Sequence, residues 1–270
     1  MILPTSWSRS IATYIFRNGI MITYKTDAEI EIMRVGGEKL KEVMKQLVPH
    51  IRAGITTNDI NSLAEKYIKA TGADISFNKV EGYKWAVCVP INEQVVHTPP
   101  TKRILKNGDV LCIDIGAYFK GFHTDHAITI VVGGKTTPEI ERFLQVGKEA
   151  LQLAIEQAKV GNRIGHISEA IEKKVVGAGY TIMRQLTGHG VGKELHEDPF
   201  IPGYVSKSIE KTMKLRPGMV LALEVIYSMG SAEIAYEEDL EWSIITADKS
   251  MSACFEHTVA LTDKNTLVLT

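Results

Sequence analysis

Five residues of metal-ligating type follow one another along the chain: Asp114, Asp125, His189, Glu224 and Glu256. Each interrupts an apolar or glycine-rich run, where a charged side chain is rare unless something compensates it. A pair of divalent cations would compensate four carboxylates at once. Asp114 lies in Val110-Leu111-Cys112-Ile113-Asp114-Ile115-Gly116, and Asp125 in Gly121-Phe122-His123-Thr124-Asp125-His126-Ala127-Ile128. Lys120-Gly121 between them reads as a two-residue hairpin turn. Such a turn sets Gly116 opposite Asp125 and makes Asp114 a same-face diagonal neighbour at roughly 7 Å. From there both carboxylates reach two metals about 3.5–4 Å apart. A lone acid in a strand is usually exposed or caps a turn. Two acids on one face of one hairpin are harder to explain that way.

The remaining three sit in similar settings. Glu224 interrupts Val220-Leu221-Ala222-Leu223-Glu224-Val225-Ile226, and Glu256 interrupts Ala253-Cys254-Phe255-Glu256-His257-Thr258-Val259. His189 lies between Gly188 and Gly190, which permit close backbone approach and unusual dihedrals. Four carboxylates and one imidazole make a hard donor set. It favours Mn²⁺, Fe²⁺ or Co²⁺ over a thiolate zinc site, with Zn²⁺ and Ni²⁺ also in range. Two such metals can activate a water, polarise a carbonyl and anchor a free amine. Glu224, which could also accept the water proton, is the candidate general base. The other histidines are not expected to be ligands. His123 and His126 flank Asp125 and are assigned to the opposite face, His257 is out of phase with Glu256, and His50 and His166 fall near helix ends or turns.

These residues need strands to carry them, and the chain supplies strands twice. Glu29-Ile30-Glu31…Val35-Gly36 resembles Glu139-Ile140-Glu141…Val146-Gly147. Gly54 and Ile60 match Gly161 and Ile167, six apart in each copy, and Gly72 and Gly179 follow eighteen after the first glycine. Each copy reads as helix, glycine turn, helix, with Ile60, Leu63, Ala64 and Ile68 at helical spacing. Asp59 and Ser168 are read as helix-surface or cap residues. The fold class is α+β: two pseudo-symmetric halves, about 27–135 and 136–270, within one domain spanning 21–270. The site is expected where the sheets of the halves meet, two ligands coming from the first and three from the second.

Composition sets limits. At 270 residues and 44% hydrophobic, the chain can bury a substantial core. A net charge of −1 gives no reason to expect nucleic-acid binding. Cys88, Cys112 and Cys254 are odd in number and far apart, without zinc-finger spacing or a disulfide framework, so a reducing cytoplasm is expected. No apolar run reaches the ~18 residues of a membrane span. Residues 1–20 contain Arg9 and Arg17 and no acid. They are read as an extension outside the core, with a transit-peptide-like composition as the alternative.

Taken together, Asn92-Glu93-Gln94-Val95-Val96-His97, the Asp114/Asp125 pair, Gly188-His189-Gly190-Val191-Gly192, His196, the Glu224 strand and Phe255-Glu256-His257-Thr258 resemble the methionine aminopeptidases, type I, of the pita-bread metallopeptidase fold. The resemblance covers residues 21–270. It implies a dinuclear site held by Asp114, Asp125, His189, Glu224 and Glu256. It implies that His97 and His196 hold the scissile peptide, His97 at the amide nitrogen and His196 at the developing oxyanion. It also implies a methionine pocket at Tyr83, Cys88, Leu195 and Trp242, with His97 at its edge. The activity implied is removal of the N-terminal methionine of nascent chains when the second residue is small, by a monomer working near the ribosome. Departures from the family pattern fall at Leu195, Leu240-Glu241-Trp242, Thr98-Pro99-Pro100 and Ala222-Leu223-Glu224-Val225, and bear on pocket shape. Two rivals are an Xaa-Pro-specific aminopeptidase or dipeptidase of the same fold and a non-catalytic peptide-binding homologue. The first carries an extra N-terminal domain and the second has lost ligands. The 28 residues from His196 to Glu224 leave no room for the type II insertion.

Overall fold

The computed structural model describes residues 22–270. The expectations for residues 1–20, and the start of the core at Met21, lie outside the described residues. Helices α1 (Asp27–Leu47) and α2 (Thr57–Ala70) open the first half, and α3 (Pro138–Gln157) and α4 (Ile164–Gly177) open the second. Thr26 and Thr56 cap α1 and α2, each in a reciprocal pair with an acid three residues on, Glu29 and Asp59. Thr137 caps α3, with Pro138 in its first turn. The repeat is visible in the backbone. Gly54 and Gly161 have φ of 92° and 95°, and Gly72 and Gly179, each just past a helix end, have 75° and 91°. Asp59 is thus a cap residue as expected. Ser168 is not on the surface: it is buried and donates to the Ile164 carbonyl within α4.

The strands of the first half are β1 (Asp74–Ile75), β2 (Val87–Cys88), β3 (Gln94–Val96), β4 (Val110–Phe119) and β5 (Phe122–Val131). Those of the second are β6 (Thr181–Ile182), β7 (Thr187–Gly190), β8 (Glu197–Pro202), β9 (Val220–Ser228), β10 (Ile234–Tyr236), β11 (Ile244–Thr246), β12 (Ser252–Leu261) and β13 (Thr266–Val268). The halves do not present two separate sheets. They share one ten-stranded antiparallel sheet, with the central order β1-β4-β5-β12-β9-β7-β8, joined where β5 pairs with β12. At the seam Glu256 pairs with Ala127 and His257 with His126, and on either side the Thr258 and Thr129 hydroxyls bridge the two backbones, so the halves act as one layer.

The helices cover one face of this sheet. Met44 and Leu40 of α1 belong to one apolar cluster with Ile113 and Ile115 of β4, and Phe143 and Ala150 of α3 to another with Val225, Tyr227 and Phe255 of β9 and β12. Gly147 is needed for that contact, since a Cβ there would lie 2.5 Å from the Tyr227 hydroxyl and 2.6 Å from the Phe255 ring. The other face is partly covered by a three-stranded sheet, β10-β11-β3. Among the described residues no helix is long and apolar enough to cross a membrane.

Candidate metal centre

Lys120 and Gly121 form the turn of the β4–β5 hairpin, with φ of 48° and 92°. Gly116 pairs with Asp125 and Asp114 with Ala127, the register expected from the sequence. On the far side of β5, Ala127 pairs with Glu256, which pairs with Glu224. Asp114, Ala127, Glu256 and Glu224 therefore form one row across four strands. The adjacent row on that face runs through Gly116, Asp125, Thr258, Ala222 and His189. Each row sets ligand-type residues beside small ones, so the polar groups converge over space that alanine, glycine and threonine leave open. One donor atom from each of Asp125, His189 and Glu256 lies within 4.8 Å of the others.

The row arrangement is unfavourable without cations, because like charges opposite one another repel. Asp125, His189 and Glu256 are buried. Burial, and then repulsion among neighbouring acidic groups, pushes the carboxyls of Asp114, Asp125 and Glu256 well above the usual range. Asp114 Oδ1 and Glu256 Oε1 are buried with no hydrogen-bond partner. Unpaired oxygens in a hard, oxygen-rich cluster fit divalent cations. The His189 Nδ1–H donates to the Gly190 carbonyl at 2.8 Å, which turns Nε2 toward the cluster, 3.3 Å from Glu224 Oε1. Burial opposes protonation of His189, but the hydrogen bond and charge of Glu224 outweigh it and raise its pKa. The flanking glycines serve close approach alone. Gly188 and Gly190 lack positive φ, yet a Cβ would lie 2.5 Å from the Ala222 carbonyl at one and 2.3 Å from that of Asp198 at the other.

His97, His196, Tyr83, Cys88, Leu195 and Trp242 line the same cavity as the five ligand-type residues. His97 has φ of 58°, and burial followed by His189's charge lowers its pKa to about 4. Burial, and the nearby His189, His97 and His123, hold His196 well below the imidazole range. Both rings are therefore neutral hydrogen-bonding groups at physiological pH. The His189 and His196 rings meet edge to face at 4.5 Å. Next to them, Phe77, Tyr83, Cys88 and Leu195 form one apolar cluster, with Trp242 against Tyr83 at 5.4 Å. The Tyr83 hydroxyl donates to the Val87 carbonyl at 2.8 Å, so this buried wall carries no unsatisfied hydroxyl.

One expectation fails. His123 is two residues from Asp125, so period-two alternation puts it on the same face, not the opposite one. It is buried, bonded through Nδ1 to Ser76 Oγ at 2.7 Å, and close enough to His196 to affect its charge. His126 and His257 do face away, stacked at 4.7 Å on the helix side. The sequence reading also missed Phe77, Cys112 and Cys254 in the cavity wall and the bracing role of Thr258. Thr258 Oγ1 accepts from the Asp125 N–H at 2.9 Å and donates to its carbonyl at 2.8 Å. Alternation sets Cys112 on the face of Asp114, and carried on from Glu256 it reaches Cys254 and Thr258. Phe77 carries no such signal.

A model of metallopeptidase family M24 matches residues 31–263. The chain belongs to this family and is a metal-dependent hydrolase with a divalent-metal site. Methionine aminopeptidase 1 of Bacillus subtilis is 40% identical over 250 residues, covering 93% of this chain and 99% of its own. The crystal structure of methionine aminopeptidase from Thermotoga maritima superposes with a TM-score of 0.88 at 37% identity, over 92% of this chain and 99% of its own. Prolidase from Pyrococcus furiosus shares the fold, with a TM-score of 0.71 at 23% identity, but only 64% of that chain is covered.

Proposed function

We infer that the chain removes the N-terminal methionine of polypeptides whose second residue is small, using two divalent cations held by Asp114, Asp125, His189, Glu224 and Glu256. The observation that carries this reading is an apolar, aromatic-walled pocket opening onto the ligand cluster. Methionine's unbranched, polarizable side chain fills such a pocket and makes favourable contacts with aromatic rings. When bound, the cations supply an activated water and polarise the scissile carbonyl. Glu224 accepts the water's proton, its Oε1 facing His189 Nε2. His196, neutral and beside His189, donates a hydrogen bond to the developing oxyanion. His97 orients the peptide at the amide nitrogen of the second residue.

Co, Mn, Fe, Zn and Ni all suit the donor set, and the metal used in the cell is a matter for titration. Residues 21–270 act as one catalytic domain, as a monomer on nascent chains in the cytoplasm. Three buried free cysteines suit that reducing compartment. The test compares kcat/KM for peptides beginning Met-Ala, Leu-Ala, Val-Ala and Ala-Pro, with metal-free enzyme titrated by each cation. Met-Ala is expected to be cleaved fastest and Val-Ala poorly. Discrimination against Leu is smaller, since a methylene or two is worth only about 1–3 kcal/mol. Faster cleavage of Ala-Pro would transfer the enzyme to the proline-specific class.

A further inference from the structure

His196 sits on a loop between β7 and β8, and one buried ion pair ties that loop to the segment preceding α1. Lys25 Nζ donates to Glu197 Oε2 at 2.5 Å, with the two side chains only 2% and 9% exposed. The other carboxylate oxygen, Oε1, accepts the Glu194 N–H at 3.3 Å. Lys25 Nζ also donates to the Thr23 carbonyl at 3.1 Å, and the Lys25 N–H to the Gly218 carbonyl at 2.7 Å. The near end of the loop is held by the His123 N–H, which donates to the Gly192 carbonyl at 2.7 Å. Gly192 is packed against the pair: a Cβ there would lie 2.4 Å from Lys25 Cε and 2.5 Å from Glu197 Oε1.

We propose that the Lys25–Glu197 pair is a positioning device for His196, fixing the loop that carries it to the strap ahead of α1. The inference rests on His196 contacting the substrate, as in the proposed function. Stability alone is a weak reason for a buried pair, because desolvation offsets most of the attraction and apolar side chains of similar volume serve as well. The charges add direction. The carboxylate bonds the ammonium with one oxygen and the loop backbone with the other, fixing the residue next to His196 in two directions. Displacing a substrate-contacting group by an ångström is enough to cost about 10²-fold in rate.

The test uses the full chain loaded with Mn²⁺ and the peptide Met-Ala-Ser. Lys25→Met leaves Glu197 buried and unpaired, so the double variant Lys25→Met/Glu197→Met, which removes both charges, is the decisive protein. It should keep its metal content and recover most of the Tm, yet lose about 10- to 100-fold in kcat, with KM changed far less. In a His196→Ala background the same double substitution should lower kcat no further, because its effect passes through that ring. If Lys25→Met fails to fold, these two measurements still decide. A double variant with wild-type kcat, a loss of metal, or an undiminished effect without His196 overturns the inference. Failure of the unmodified enzyme to cleave Met-Ala-Ser overturns the proposed function instead.

Discussion

At Asp125 the backbone and the side chain do separate jobs. The backbone is clamped from both sides by the Thr258 hydroxyl, and the carboxylate is left facing Asp114, His189 and Glu256. Asp125→Asn keeps the shape and the clamp but removes an anionic ligand. Metal content should fall, and turnover should drop by more than the roughly 10–100-fold seen when a residue that only braces a ligand is lost. Retention of metal and full activity in this variant would remove Asp125 from the site. His196 makes the contrasting case. His196→Ala should lower kcat by about 10²–10³-fold while metal content stays unchanged, as loss of an oxyanion donor does. Metal loss there would make it a ligand instead.

Among the elements, β7 is short and closely hemmed in. It is four residues long, pairs with β9 through His189 and Gly190, and bends where its register with β8 shifts. Gly188 lets the β9 backbone come within a Cβ's reach of it. Gly188→Ala should force the two strands apart and carry His189 away from Glu224. Overpacking of this kind costs about 1–3 kcal/mol. The expected result is a lower Tm together with weaker metal binding; metal affinity equal to wild type would show that β9 moves aside without disturbing His189. The β4–β5 hairpin is set by more local means. Its two-residue turn fixes the register, and the register fixes which acids share a face.

Across the whole molecule, metal and fold are linked through protons. In the metal-free chain Asp114, Asp125 and Glu256 hold protons more tightly folded than unfolded. Their protonation therefore contributes stability below the unfolded carboxylate range near about 4, and that contribution is lost as pH rises through the elevated folded values. Cations take the protons' place. The rise in Tm on adding Mn²⁺ should accordingly grow between about pH 5 and about pH 7.5. Scanning calorimetry at fixed Mn²⁺ concentration checks this, and an increment independent of pH would mean the three carboxyls do not bind the metal.

The hairpin register, the helix–turn–helix repeat and the ordered set of five ligand-type residues were legible in the sequence because each depends on short-range rules. A two-residue turn sets pairing, period two sets the face, and glycines at matching positions mark turns that need positive φ. The same rule, correctly applied, would also have placed His123 beside the site. What the sequence could not supply was long-range pairing. That β5 pairs with β12, merging two halves into one sheet and lining up Asp114, Glu256 and Glu224 in a single row, is decided by burial of the helix-covered face and by ladder bonds between segments about 130 residues apart. The Lys25–Glu197 clamp and the placing of Leu195 in the pocket wall with Phe77 are of the same kind. Their partners are distant in sequence, and only the folded chain brings them together.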